Sequence, residues 1–143
     1  MGQQSRDADI QAVFGHLQDV TRRATARSRR LNEPLTFVEY SLIRFIEATP
    51  RTRATDIAAA FALNRSTVSR QVNTLIDLGL VRYLEHDDEP GRGRVLDLTD
   101  HGRAQLATAV DAQQAAIRDR VQDWTDEEVA AFAAALARFN EGD

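Results

Sequence analysis

Apolar residues recur at steps of three and four along most of the chain, the spacing that places side chains on one face of a helix. The helices that this spacing predicts cover residues 8–30, 36–49, 53–62, 65–78 and 100–122, with a last helix after Thr125. Between the fourth and fifth helices, strand-like segments at 80–85 and 95–98 flank a polar, turn-rich stretch and predict a hairpin. The pattern therefore predicts a mainly α fold with one small β-hairpin.

Residues that favour helix ends stand at several predicted boundaries. The segments Thr36–Glu39 and Thr125–Glu128 both have the spacing of a capping box, in which a hydroxyl and a carboxylate each accept from a backbone N–H at the helix start. Asn64 is a favourable N-cap for the helix that begins at residue 65. Gly79 stands where the left-handed residue that ends this helix is expected.

The helix predicted over 65–78 divides its residues between two faces. Its apolar side carries Val68, Val72, Leu75 and Leu78, and its polar side carries Arg65, Ser66, Ser69, Arg70 and Asn73, with Thr67 at the edge. A short helix and a tight turn precede it, which is the layout of a helix-turn-helix, whose second helix enters the major groove of DNA. Arginine can bind guanine, asparagine can bind adenine, and a hydroxyl can bind a base or a phosphate. An ordinary solvated helix face has the same residue types, so this segment alone leaves both interpretations open.

The hairpin that follows this helix favours the DNA-binding interpretation. A helix-turn-helix followed by two strands is a winged helix, and Arg92 and Arg94 lie near the predicted tip of the wing. An arginine there can enter the narrow minor groove, where the potential is strongly negative. The middle of the chain can fold on its own core, so the terminal helices retain apolar stripes without a partner. The simplest partner for such stripes is a second copy of the chain.

Composition excludes several classes of function. The 143 residues include no cysteine, which rules out disulfides and thiol chemistry. No apolar run reaches the roughly 18–20 residues that span a bilayer, and the first residues do not resemble a signal peptide, so we expect a cytoplasmic protein without a membrane partner. The sequence has no nucleophile motif and no phosphate-binding glycine loop, and His16, His86 and His101 are far apart in the chain. We therefore expect no enzymatic activity, no metal site and no cofactor.

The net charge of −4 at first argues against a nucleic-acid partner, but the distribution of charge does not. Residues 22–30 hold five arginines and no acid, and residues 51–82 hold five arginines against Asp56 and Asp77. Residues 119–143 hold seven acids against two arginines, so the acidic charge is concentrated at the C-terminal end. The arginines of 22–30 fit either a phosphate contact or a solvated helix end, where basic side chains complement the helix dipole.

With this order of elements, the chain resembles the MarR family of bacterial transcriptional regulators. The motifs that carry the resemblance are Leu35-Thr36, Asp56-Ile57-Ala58, Asn64 to Arg70, Leu78 to Arg82 and Leu98 to Arg103. Their order and spacing match over about residues 35–106, and the flanking helices match in pattern only. The resemblance implies an N-terminal dimerisation helix in 1–34, a winged helix-turn-helix in 35–99 and C-terminal dimerisation helices in 100–143.

The resemblance also implies a homodimer on a pseudo-palindromic operator in double-stranded DNA, with repression as the expected mode of regulation. The residues expected to contact DNA are Arg53, Thr55, Asn64, Arg65, Ser66, Thr67, Ser69, Arg70, Asn73, Arg92 and Arg94. The residues expected in the dimer interface are Ile10, Val13, Phe14, Leu17, Val121, Phe132, Leu136 and Phe139. Many family members release DNA when a small, often phenolic ligand binds, and the candidate pocket here is Leu17, Tyr40 and Phe45. Aromatic residues at helical spacing also fit a plain core.

The wing departs from the family pattern at one position. Pro90 stands where the family usually carries an aspartate, two residues before the wing arginine, which is Arg92 here. Four acids between Glu85 and Glu89 would repel phosphate if they faced it. The wing contact is therefore left open. The same acids and the negative net charge motivate an alternative function, a winged-helix module that interacts with proteins and does not bind DNA.

Overall fold

The structure, a computed structural model, describes residues 2–30, 35–84 and 93–142, and it describes the side chains of these ranges except those of 28–30. Its elements are α1 (Gly2–Arg30), α2 (Phe37–Ala48), α3 (Ala54–Ala60), α4 (Arg65–Asp77), β1 (Val81–Tyr83), β2 (Leu96–Leu98), α5 (Asp100–Arg120) and α6 (Asp126–Asn140). The chain divides into two compact units, Met1–Ala109 and Val110–Asp143. The helices and the antiparallel hairpin confirm the predicted fold class.

Local sequence sets where several helices begin and end. The Thr36 hydroxyl accepts from the Glu39 N–H at 3.1 Å while the Thr36 N–H donates to the Glu39 carboxylate at 2.8 Å. The same reciprocal pair forms at Thr125. The Asn64 side-chain oxygen caps α4, and Gly79 follows that helix in the left-handed conformation, with φ of 72°. These predicted boundary residues are confirmed.

The core of the first unit gathers apolar side chains from four helices, α2 to α5, and from the hairpin. Ile43, Ile57, Leu75 and Leu98 are fully buried at its centre. In this core α3 packs on α4, α2 packs on β2, and α4 contacts β1. The buried side of α4 is thereby fixed, and its polar side is left facing outward.

The start of α5 is attached to the turn that ends α4. The Thr99 N–H donates to the Leu80 carbonyl at 3.0 Å, and the Thr99 hydroxyl donates to the Gly79 carbonyl at 2.5 Å. The same hydroxyl accepts from the Gly102 N–H at 2.9 Å and so caps α5. The position of α4 is therefore tied to α5 as well as to the hairpin.

Some predicted bounds differ from the structure. Helix α1 begins at Gly2 and not at residue 8, because neither proline nor glycine interrupts residues 3–9 and the helix can continue through them. Leu78, expected on the apolar side of α4, is 48% exposed because it is the C-cap residue, where the chain turns away from the helix. Both strands are shorter than predicted, and most of the polar turn at 86–93 lies outside the described residues.

The second unit contains the end of α5 and the whole of α6. The Trp124 ring meets the Phe132 ring edge to face, with the ring centres 5.6 Å apart. Every residue of α6 is exposed, including Leu136 and Phe139 on its apolar stripe. An amphipathic helix of this kind normally buries its apolar stripe against another surface.

Candidate nucleic-acid interface

The outward face of α4 carries most of the polar residues that the sequence predicts for DNA contact. The exposed ones are Arg65, Ser66, Ser69, Arg70 and Asn73. Thr67 is half-buried at the edge of this face, and the opposite side of the helix is buried through Val68 and Val72. A continuous polar surface therefore extends over more than two helical turns.

Polar side chains at the start of α4 bond to one another. The Ser66 hydroxyl donates to the Asn64 side-chain oxygen at 2.8 Å, and the same oxygen accepts from the Thr67 N–H at 2.8 Å. The Arg70 guanidinium lies 3.5 Å from the Thr67 hydroxyl, at the outer limit of a hydrogen bond. Asn64 therefore has a clear role as the cap of α4, and its contact with DNA stays a prediction.

A cleft of about 1070 Å³ opens beside the start of α4. We call it the arginine cleft, and its lining residues are Arg51, Arg53, Ala54, Thr55, Asp56, Arg65, Val68, Tyr83, Gly93 and Arg94. Within the described part of the chain, its only acidic lining residue is Asp56, whose carboxylate accepts from the Arg53 N–H at 2.9 Å. The structure thus brings four of the residues predicted to contact DNA, Arg53, Thr55, Arg65 and Arg94, to one cleft, where arginines outnumber acids among the described lining residues.

Arg53 is held more tightly than a surface arginine. It is only 9% exposed, and its guanidinium donates to the Gly93 carbonyl. Its backbone also forms a bridge with Val95. Because Arg53 is the N-cap residue of α3, these bonds attach the start of α3 to the chain just before β2. Arg53 therefore positions the hairpin, and its contact with a phosphate stays a prediction.

Arg94 is exposed and stacks on an aromatic ring. Its guanidinium carbon lies 4.3 Å from the centre of the Tyr83 ring, the geometry of a cation–π contact. Tyr83 belongs to β1, so the contact holds the arginine against the hairpin, beside the cleft that both residues line. Arg92 and Pro90 lie outside the described residues, so the contact of the wing with the minor groove stays a prediction.

Among the lining residues that were not predicted to contact DNA, Arg51 and Tyr83 have side chains suited to binding or positioning a ligand. Arg51 stands in the loop between α2 and α3, where no periodic pattern assigns a direction to a side chain. Its unusual backbone, with φ of 58°, appears only in the structure. A signal for Tyr83 was present, because an aromatic residue on one strand of a hairpin commonly packs against a long side chain on the other.

The residues predicted for a dimer interface are mostly exposed, in each of the two units. In the first unit these are Ile10, Val13, Phe14 and Leu17, and in the second they are Phe132, Leu136 and Phe139. Val121 is half-buried. Phe14 and Phe139 are each more than 60% exposed, which is unusual for large apolar side chains grouped on helix stripes.

The predicted ligand pocket receives no support from the arrangement of its residues. Tyr40 and Phe45 are half-buried, and the Phe45 ring meets the Phe61 ring edge to face at 5.5 Å between centres. That contact is ordinary aromatic packing. Leu17 is 40% exposed on α1. None of the three predicted residues lines the arginine cleft, and the pocket stays a prediction.

Two further features of the described ranges bear on the kind of site. In them, no three or more His, Asp or Glu side chains are grouped as a metal ion would require. The described helices also include none with the length and apolar content to cross a bilayer. The candidate functional site is therefore the polar face of α4 together with the arginine cleft.

A helix-turn-helix followed by an antiparallel hairpin defines a winged-helix protein, and comparisons with known proteins agree. Residues 33–93 match the model of the MarR family. No curated protein sequence matches this chain. The winged-helix part of the chain is therefore similar to the MarR family, as the sequence motifs indicated.

Solved structures extend the similarity to nearly the whole chain. A MarR family protein from Bacillus stearothermophilus has a TM-score of 0.82 and 16% identity, covering 94% of this chain and 95% of that one. FabT from Streptococcus pneumoniae, solved in complex with DNA, has a TM-score of 0.74 and 17% identity, covering 92% of this chain and 95% of that one. Wild-type MarR from E. coli, in its apo form, has a TM-score of 0.66 and 19% identity, covering 87% and 95%. At these identities the structures establish the fold.

Proposed function

We propose that this protein is a sequence-specific DNA-binding transcriptional regulator that acts as a homodimer. The main support for this proposal is that the polar face of α4 continues into the arginine cleft. Arg65 belongs both to the exposed polar face of α4 and to the lining of the arginine cleft. A helix that enters the major groove would therefore have a positively charged cleft directly beside it, where the DNA backbone runs.

The two surfaces suit different parts of a duplex. The α4 face offers Arg70 and Asn73, whose side chains can form paired hydrogen bonds with the edges of guanine and adenine. The cleft offers guanidinium groups and the Thr55 hydroxyl, which suit phosphate oxygens. Contacts with phosphate position a protein on DNA, and contacts with base edges give it sequence preference. Both kinds of contact are available within the first unit.

Homodimerisation is supported by the exposed apolar stripes of α1 and α6. Large apolar side chains that are grouped and exposed on a monomer normally mark a surface for association. A dimer with twofold symmetry would present two α4 helices, and its operator would be a pseudo-palindrome with half-sites about one helical turn, or roughly 34–36 Å, apart. FabT, a structural neighbour, was solved in complex with DNA, which supports a DNA partner for this fold.

Our expectation about the mode of regulation is based on the resemblance to the MarR family. We expect a repressor, which a small aromatic or phenolic ligand releases from DNA. The candidate pocket remains Leu17, Tyr40 and Phe45. A ligand there would act by favouring a dimer geometry in which the two α4 helices no longer match successive major grooves.

The proposal is tested by titrating a labelled duplex from the region upstream of the gene with the protein, at low and moderate salt. Saturable binding that weakens as salt rises, and that is tighter than binding to a shuffled duplex of equal length, is the expected result. Failure to bind at any salt concentration would leave the alternative function, a winged-helix module that interacts with proteins.

A further inference from the structure

The loop between α2 and α3 contains a residue in an unusual backbone conformation. Arg51 has φ of 58°, within the left-handed region that glycine adopts readily and other residues rarely do. The loop around it is fixed, because the Thr52 hydroxyl donates to the Thr49 carbonyl and Thr52 is fully buried. The left-handed conformation of Arg51 is therefore imposed by a well-anchored turn.

An arginine in this conformation carries a cost that a glycine would avoid. The left-handed region brings Cβ close to the backbone, so a side chain at position 51 destabilises the fold relative to glycine. Residues in such conformations are concentrated at functional sites, where the side chain serves a purpose other than folding. The location of the Arg51 side chain indicates its role.

Arg51 lines the arginine cleft together with Arg53, Arg65 and Arg94. The Arg53 guanidinium donates to the Gly93 carbonyl and Arg94 stacks on Tyr83, so both are held against the hairpin. Arg51 is exposed and lies in the loop between α2 and α3, whereas Arg65 belongs to α4 and Arg94 immediately precedes β2 of the hairpin. It therefore adds positive charge to the cleft from a third segment of the chain, and Asp56 is the one acid among the described lining residues.

We propose that Arg51 is a phosphate-binding residue, which the left-handed turn directs into the arginine cleft to contact one backbone phosphate of bound DNA. The inference rests on the proposed function, since it requires a duplex beside α4. A phosphodiester fits the chemistry, because it brings one negative charge and acceptor oxygens to a group of guanidinium donors.

The test compares Arg51→Ala and Arg51→Gly in titrations of the upstream duplex over a range of salt concentrations. Both variants lose the guanidinium, so both should show a plot of log K against log salt that is shallower by about 0.9, the contribution of one phosphate. The loss should be the same for the upstream duplex and for a shuffled one. Only Arg51→Gly also relieves the backbone, so it should melt at a higher temperature than Arg51→Ala.

The matched control is Arg44→Ala, which removes the same charge from an exposed position on α2 that does not line the cleft. Its salt dependence should equal that of the wild type. An unchanged slope in both Arg51 variants, or an equal loss in Arg44→Ala, would overturn the assignment of Arg51 while the wild type still binds DNA. A wild type that binds no DNA would overturn this inference and the proposed function together.

Discussion

Gly102 in α5 lies directly against the main chain of Leu80, so closely that a Cβ at position 102 would be 2.0 Å from the Leu80 carbonyl oxygen. Leu80 follows Gly79, the left-handed residue after α4. The close approach therefore fixes the start of α5 on the turn between α4 and the hairpin. The same turn ends α4, so the contact ties the start of α5 to the proposed DNA-binding helix.

We expect Gly102→Ala to destabilise the protein by about 1–3 kcal/mol, the usual cost of forcing extra atoms into a packed contact. The obstacle is backbone and cannot rotate away. Urea denaturation measures the change. Gly15→Ala is the control, because nothing lies within 4 Å of a Cβ at position 15 in α1, and an alanine there should be neutral or stabilising by up to about 1 kcal/mol. Equal stability of the two variants would show that the close approach is absent in solution.

Variants of Asn64 should separate the stability of α4 from its affinity for DNA. Asn64→Ala removes the side-chain oxygen that accepts from the Thr67 N–H, and we expect a loss of about 1 kcal/mol in the free energy of unfolding. Asn64→Asp keeps an equally good cap, so it should unfold like the wild type. Its added negative charge should nevertheless weaken binding to the duplex. If Asn64→Asp bound DNA as tightly as the wild type, the start of α4 would not face the DNA.

Arg70→Ala tests whether the outward face of α4 reads bases. If Arg70 contacts a base edge, the change should cost about 1–3 kcal/mol on the preferred duplex and relax the preference for the base at one position. Binding to a panel of single-base operator variants measures this. A loss that is uniform over the panel, with a shallower dependence on salt, would reassign Arg70 to phosphate.

Phe132→Asp tests the proposed role of α6 in dimerisation. The side chain is 49% exposed on the apolar stripe, and a charge there would be buried without a partner if the stripe forms an interface. Light scattering should give twice the chain mass of 16.0 kDa for the wild type and the single mass for the variant. Ala134→Asp, on the opposite side of the same helix, should remain dimeric. A wild type that stays monomeric at micromolar concentration would contradict the dimer.

The helices and their ends could be predicted from the sequence because the interactions that set them are local. The cap at Asn64 and the box from Thr36 to Glu39 each involve residues three positions apart, so spacing alone identifies them. The polar and apolar sides of α4 follow from helical periodicity in the same way. Leu78 was misplaced because its exposure depends on the turn after the helix, which periodicity does not describe.

The arginine cleft could not be predicted, because it is built from segments that only the tertiary fold brings together. The hydrogen bond between Arg53 and Gly93 joins residues 40 positions apart, and the stack of Arg94 on Tyr83 depends on the register of the hairpin. Arg51 lines the cleft through a backbone conformation that its residue type does not favour. The individual DNA-contact residues were therefore predictable as surface residues of suitable chemistry, whereas their grouping around one cleft was not.

We propose above that two copies of the chain insert their α4 helices into successive major grooves on one face of a duplex. Hydroxyl-radical footprinting of the upstream DNA measures this most directly, because it reports which backbone positions the protein covers. We expect two equivalent protected patches on one face, centred about one helical turn, or roughly 34–36 Å, apart. A single patch, or saturating protein without protection, would contradict it.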